Sequence, residues 1–386
     1  MNPLIPGFSF IFVAAVAGGA FGLQYRVQRR YAVDNTALLS LFFATIVVPL
    51  IVINIVLPGW MTAISATSLA TLLTVYLFGF GWGLGAITYA FGFNLLGMAL
   101  GAAMIKGMSV AVGSGIPLLR RWDSVALEPK LLTILGIVLL LVGTAISGKA
   151  GVMRERDSKP DTQPEPAKGG AGEPVVEPGQ NPAAARVVGR AVAAETQTAE
   201  QKLVPGGAKS SVFWRGMTWC AFSGVLSACA NLGYDYGEPM QKAASHLGNL
   251  ELYGTLIRWM PMYWGGITAL LVFMGGSMLR HGTWRNYFAR GTLRDFFVAS
   301  SMGAVHFLAQ IPYGIGAFYL GKLGTTVGFG VNLGMALIVA TGIGFMTGEW
   351  KVASKASKRT LYWGIAVLLV AMGVLAYANS LVQNSA

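Results

Sequence analysis

The feature that most constrains this chain is the recurrence of apolar stretches long enough to cross a lipid bilayer. Residues 36–57, TALLSLFFATIVVPLIVINIVL, hold no charged side chain at all. A hydrocarbon core about 30 Å thick takes about 20 residues of helix. Inside it each backbone N–H and C=O must be satisfied within the segment, so a single run of this kind is helical. The same reading gives spans at 7–24, 36–57, 69–91, 95–118, 131–148, 212–233, 252–278, 297–319, 323–347 and 360–380. The expected fold is an all-α membrane protein of about ten transmembrane helices. Composition points the same way: at 54% hydrophobic and 11% charged, the chain cannot clothe a soluble surface. The link at 92–94 carries no charge to mark it, and one long or re-entrant segment is the alternative there.

The net charge of +12 would suit a nucleic-acid partner only if it were clustered. It is not: the basic residues sit between the apolar runs, where topology signals sit. Arg26, Arg29, Arg30, Arg280, Arg285, Arg290, Arg294, Lys351, Lys355, Lys358 and Arg359 follow odd-numbered spans, against Arg120, Arg121, Lys130, Lys242 and Lys322 after even-numbered ones. The bias places the odd loops in the cytoplasm and both termini outside, periplasmic for a cell inner membrane. The first apolar run has no basic residues before it, so it reads as a retained helix and not as a cleaved signal. Cys220 and Cys229 lie nine residues apart in one span, about 13 Å along a helix, too far to bridge. Both read as small packing residues.

Residues 149–211 differ from the rest, with prolines at 160, 164, 166, 174, 178, 182 and 205 and mixed charges. They read as a disordered cytoplasmic linker between a first membrane half, 1–148, and a second, 212–386. Five spans precede it and five follow. An odd-numbered unit repeated in one chain must be inverted, a common transporter plan. Gly83-Leu84-Gly85-Ala86 echoes Gly314-Ile315-Gly316-Ala317, and Gly136-Ile137 echoes Gly364-Ile365. Glycines four apart, Gly79/Gly83, Gly97/Gly101, Gly324/Gly328 and Gly330/Gly334, predict close helix approach.

Polar residues within the spans mark candidate solute sites. Lys106 lies mid-span, where a lysine costs about 2.5–3.5 kcal/mol on insertion scales. It is expected to face a wet cavity and pair with a carboxylate or a substrate hydroxyl; the plainer reading is a structural pair with a neighbouring helix. His306 and Gln310, one turn apart on one face, precede Pro312, and the imidazole could relay a proton. Asp235 and Glu238 flank a Gly-Pro-interrupted helix end and are the carboxylate candidates for proton coupling, against an ordinary solvated loop. Trp82 and Tyr89, seven residues apart, offer aromatic faces to a sugar, and Asn332 is a further polar candidate. No HExxH, GxSxG or GxxxxGK[ST] pattern occurs, so neither an enzyme, a cofactor nor a metal is expected.

Phe78-Gly79-Phe80-Gly81-Trp82-Gly83-Leu84-Gly85-Ala86-Ile87-Thr88-Tyr89 with Leu96-Gly97-Met98-Ala99-Leu100-Gly101 resembles the L-rhamnose–proton symporter family, as do Phe222-Ser223, Pro239-Met240 and Gly348-Glu349-Trp350-Lys351. The resemblance implies an inner-membrane, ten-helix carrier of the drug/metabolite transporter superfamily that imports L-rhamnose or a similar sugar with a proton. Three features depart from the family pattern: the long linker, Lys106 at an apolar position, and Glu238 where a basic residue is more typical. Lys106 and Glu238 could pair with each other or alter substrate or coupling. The expected partners are therefore a small sugar, the proton and the bilayer. The alternatives are an exporter or exchanger of another metabolite, and a membrane sensor whose output arm is the linker.

Overall fold

A computed structural model describes residues 3–20, 28–96, 98–157 and 208–384. The expected linker lies mostly outside the described residues, as does Gly97. All regular structure among the described residues is helical. Among the described residues, seven helices are long and apolar enough to cross a membrane, and Leu4–Ala20 is a shorter apolar helix. Two more, Ala208–Tyr236 (29 residues) and Leu293–Tyr319 (27 residues), have the length but carry more polar side chains. The long helices are labelled in chain order: α1 Leu4–Ala20, α2 33–56, α3 Leu69–Leu96, α4 Met98–Arg120, α5 Leu127–Asp157, α6 Ala208–Tyr236, α7 259–281, α8 Leu293–Tyr319, α9 Gly324–Met346 and α10 Lys355–Asn384.

Two boundaries differ from the sequence reading. α3 runs unbroken through 92–94, because Gly92 does not break the helix but lets it close on Cys220 of α6. α5 extends to Asp157, nine residues into the expected linker. Its last turn is anchored: Glu155 accepts the backbone N–H of Ala99, and Asp157 accepts from Ser354 and Ser357 beside α10. α2 and α7 each contain a widened π turn, at Phe43–Val47 and Leu271–Gly275. Pro49, which has no N–H to donate back to Thr45, accounts for the first; Gly275-Gly276 flank the second.

Packing follows the small residues. Gly79 and Gly83 of α3 lie on the backbone of α7 at Met262 and Gly266, and Gly265 of α7 lies on Tyr76. Gly85 and Gly92 admit Leu226 and Cys220 of α6. Gly303 of α8 meets Ser40 and Phe43 of α2, and Gly316 meets Gly7 and Ile11 of α1. α5 and α10 are antiparallel, since Gly136 meets Leu375 whereas Gly143 meets Leu368 and Gly364 meets Ser147. α4 packs on α5, α6 and α9, and α1 packs on α8 and α9. Buried Ile11, Ile53, Val110, Leu140, Met262, Phe307 and Leu375 bind these layers into one core.

Candidate functional site

α4, α6, α8 and α9 meet at Asn231. Its amide nitrogen donates to the Gly113 carbonyl at 2.7 Å and to the Thr325 carbonyl at 2.9 Å, and its oxygen accepts from the Tyr313 hydroxyl. One side chain thus ties four helices in a region from which water is excluded, where each bond is worth more than at a surface.

One turn further along α6, Asp235 is fully buried among opposite charges. Arg120 and Arg121, the last residue of α4 and the one after it, both contact its carboxylate, Arg121 at 2.7 Å, and the Thr325 hydroxyl donates to it at 2.6 Å. Arg120 also stacks 3.8 Å over Tyr236. Glu238 follows, bonded to Lys242 at 2.8 Å and near Arg121 at 3.7 Å. Burial alone would push the Glu238 carboxyl up; the hydrogen bond from Lys242 and the positive charges of Arg258, Lys242 and Arg121 outweigh it, so the group sits below its ordinary 4.5. Beside this cluster is a cavity of about 260 Å³ lined by Arg121, Glu238, Gln241, Arg258, Lys322 and Thr325, among others.

A ladder of rings connects this charged end to the interior. Tyr234 lies 4.7 Å from Trp259, Trp259 stacks on Tyr263 at 5.6 Å, and Tyr263 lies 6.1 Å from Trp82. Trp82 in turn lies 6.1 Å from His306, whose backbone carbonyl accepts from the Gln310 amide one turn on. Trp82, His306 and Gln310 are therefore together. Tyr89 is two turns along α3 from Trp82 on the same face. Asn332 lies on α9 one turn beyond Phe329, and its buried side-chain oxygen has no hydrogen-bond partner among the described residues. Lys106 sits in α4 two turns from Gly113, on the face that meets α9 at Phe329.

Lys106 does not pair with Glu238, contrary to one expectation from the sequence. Glu238 takes Lys242 and Arg121 instead, because it lies in the short helix Glu238–His246 past the end of α6, about 21 Å along α4 from Lys106. The residues missed in the sequence are Asn231, Tyr313, Arg120, Arg121 and Thr325. Asn231 and Asp235, four apart on α6, were the available signal, since two polar residues one turn apart in an apolar helix share a face. Another hollow, about 600 Å³ between α1, α9 and α10, is lined by Phe8, Phe12, Val331, Leu369 and Met372 and offers a polar solute almost no donors. The polar cluster is the better candidate.

The sequence profile of the L-rhamnose-proton symport protein (RhaT) matches residues 1–165. The chain is similar along 97% of its length to the L-rhamnose-proton symporter of Pectobacterium atrosepticum, at 22% identity over 385 residues covering 98% of that protein. It is equally similar to the L-rhamnose-proton symporters of Yersinia pestis, at 22% over 387 residues, and Yersinia pseudotuberculosis, at 22% over 388. No solved structure matches the chain. Apolar helices and full-length kinship together define a multi-pass membrane protein of a transporter class, and not an enzyme. Within that class its similarity is to the L-rhamnose-proton symport family, by a profile match over residues 1–165 and by full-length relatives at 22% identity.

Proposed function

We propose that this chain is a secondary active carrier that moves a sugar or sugar derivative of the L-rhamnose kind with protons across the inner membrane. It works by alternating access between two inverted five-helix halves, α1–α5 and α6–α10, joined by residues 158–207. The observation that carries this reading is the set of helix pairings. Moving each helix number by five turns α3 on α6 into α8 on α1, α3 on α7 into α8 on α2, and α4 on α6 into α9 on α1. It exchanges the two members of the antiparallel α5–α10 pair, and the two π turns fall in the equivalent helices α2 and α7. Inversion is what makes such a pair antiparallel, and it supplies two alternative arrangements about one central site.

The basic-residue bias supports an outward-facing Asp235 end and periplasmic termini. α9 is buried from Gly324 to Val331 and looser from Asn332 on, which supports a state closed outside and loosened inside. In this reading Trp82, Tyr89, Lys106, Gln310 and Asn332 hold the solute. His306 is the proton carrier, and Asp235 with Glu238 form a charged outer latch whose carboxylates take part in coupling when their pairs open. Uptake of labelled L-rhamnose and related sugars into proteoliposomes tests it. Accumulation above equilibrium under an inward proton gradient, abolished by a protonophore, is expected. Flux indifferent to the gradient, or none for any sugar, overturns it.

A further inference from the structure

Among the described residues, Lys106 is a cation in the membrane interior without a counterion. It makes no ion pair or hydrogen bond among the described residues. The acids that could have served it are engaged at helix ends. Asp34, Glu155, Asp157 and Asp295 take hydroxyl and backbone donors, and Glu349 takes Arg154. Asp235, Glu238 and Glu251 belong to the opposite cluster, and Asp123 and Glu128 are exposed.

Lys106 lies on the side of α4 that meets α9 at Gly113. On α4 its neighbours Ile105 and Met108 lie against Gly224 of α6, Gly107 faces Leu141 of α5, and Gly113, on the face of Lys106, meets Phe329 of α9. Lys106 is half-buried on that face of the helix. Asn332, on the same side of the Asn231 tie, adds an amide whose oxygen is buried and unmatched. A cation held in this way keeps its membrane cost until something negative arrives.

The outer approach carries the same sign. Around the 260 Å³ cavity, Arg120, Arg121, Lys242, Arg258 and Lys322 outnumber the carboxylates of Asp235, Glu238 and Glu251, and the buried Arg258 Nε has no hydrogen-bond partner among the described residues. A cleft with an excess of one charge concentrates solutes of the other.

We propose that the solute is a sugar acid, a polyol chain or ring bearing one carboxylate, and that Lys106 is the residue that takes that carboxylate. The inference rests on the transport reading and narrows its substrate. The hydroxyls would meet Asn332, Gln310 and the ring faces of Trp82, while the carboxylate supplies the missing counterion.

The test compares matched pairs on the purified full chain: L-rhamnose against L-rhamnonate, and D-galactose against D-galacturonate. Binding is read by calorimetry and transport by proteoliposome uptake. The acids are expected to bind at least tenfold tighter than their neutral parents. Lys106→Met should lower acid affinity about thirtyfold, the effect of leaving one buried charge unpaired, and collapse the preference. Lys106→Arg should retain most of it. A wild-type protein that prefers the neutral sugars overturns the proposal without any variant, and so does an acid preference that Lys106→Met leaves intact. Transport of neutral sugar with no acid preference defeats this inference alone, whereas absence of flux for every member of both pairs defeats the carrier reading itself.

Discussion

At the scale of single residues, charge placement decides which groups are available for chemistry. Glu238 is held ionised by Lys242 and by the guanidiniums of Arg121 and Arg258, against the opposing effect of burial. A carboxylate with a lowered folded-state pKa contributes stability that is fully present above its ordinary value and is lost as pH falls through the lowered one. Glu238→Gln should therefore lower the melting temperature of the detergent-solubilised protein at pH 7, by an amount fitting roughly 0.2–1 kcal/mol for a half-exposed pair. The gap from wild type should close as pH falls through the lowered pKa of Glu238. A gap that widens on acidification would mean that the carboxyl is not held by these cations. Asn231 teaches a different lesson. Its partners Gly113 and Thr325 lie far away in sequence, and two of its three bonds go to backbone carbonyls, which leave no mark on residue type. The sequence therefore singles out Lys106, His306 and Asp235 by the cost of a polar group in an apolar run. It cannot name the partners, which only packing brings within reach.

At the scale of helices, the apolar runs place the elements well, because burial in lipid is a local requirement that each segment must satisfy alone. The break between α3 and α4 is less legible, since a glycine in a membrane helix serves as a stop or as a contact point and Gly92 serves as the latter. The small-residue spacing of Gly79 and Gly83 does correspond to a close approach, but its partner is α7. Gly265 is the sharper test of that contact. A methyl there would run into the Tyr76 carbonyl and stand 2.8 Å from the Phe80 nitrogen, whereas one at Gly276, on the same helix, meets nothing within 4 Å. Gly265→Ala should cost about 1–3 kcal/mol of stability, and Gly276→Ala none. Equal melting temperatures for the two variants would show that α3 and α7 do not touch at this point.

For the whole molecule, a carrier that alternates must hold one end shut by contacts that can also be undone. The Asn231 tie and the Asp235 cluster are placed for this: they join α4 and α6 to α8 and α9, so they bridge the two proposed halves. A buried carboxylate facing two guanidiniums is a poor source of net stability but a strong discriminator between states, since opening exchanges protein partners for water. Asp235→Asn keeps the shape and removes the charge, so Arg120 and Arg121 lose the carboxylate that ties the end of α4 to α6. The balance should shift toward the open state, and a bias of about 1.4 kcal/mol already changes the population ratio tenfold. Ala317, which lines the adjacent cavity and is 5% exposed, reports on this. With both native cysteines changed to alanine, Ala317→Cys should react slowly with a membrane-impermeant maleimide when Asp235 is present. It should react at least about tenfold faster beside Asp235→Asn. If the labelling rate is the same in both backgrounds, the charge cluster does not hold this end closed, and the closure must reside in the Asn231 tie and the ring ladder beneath it.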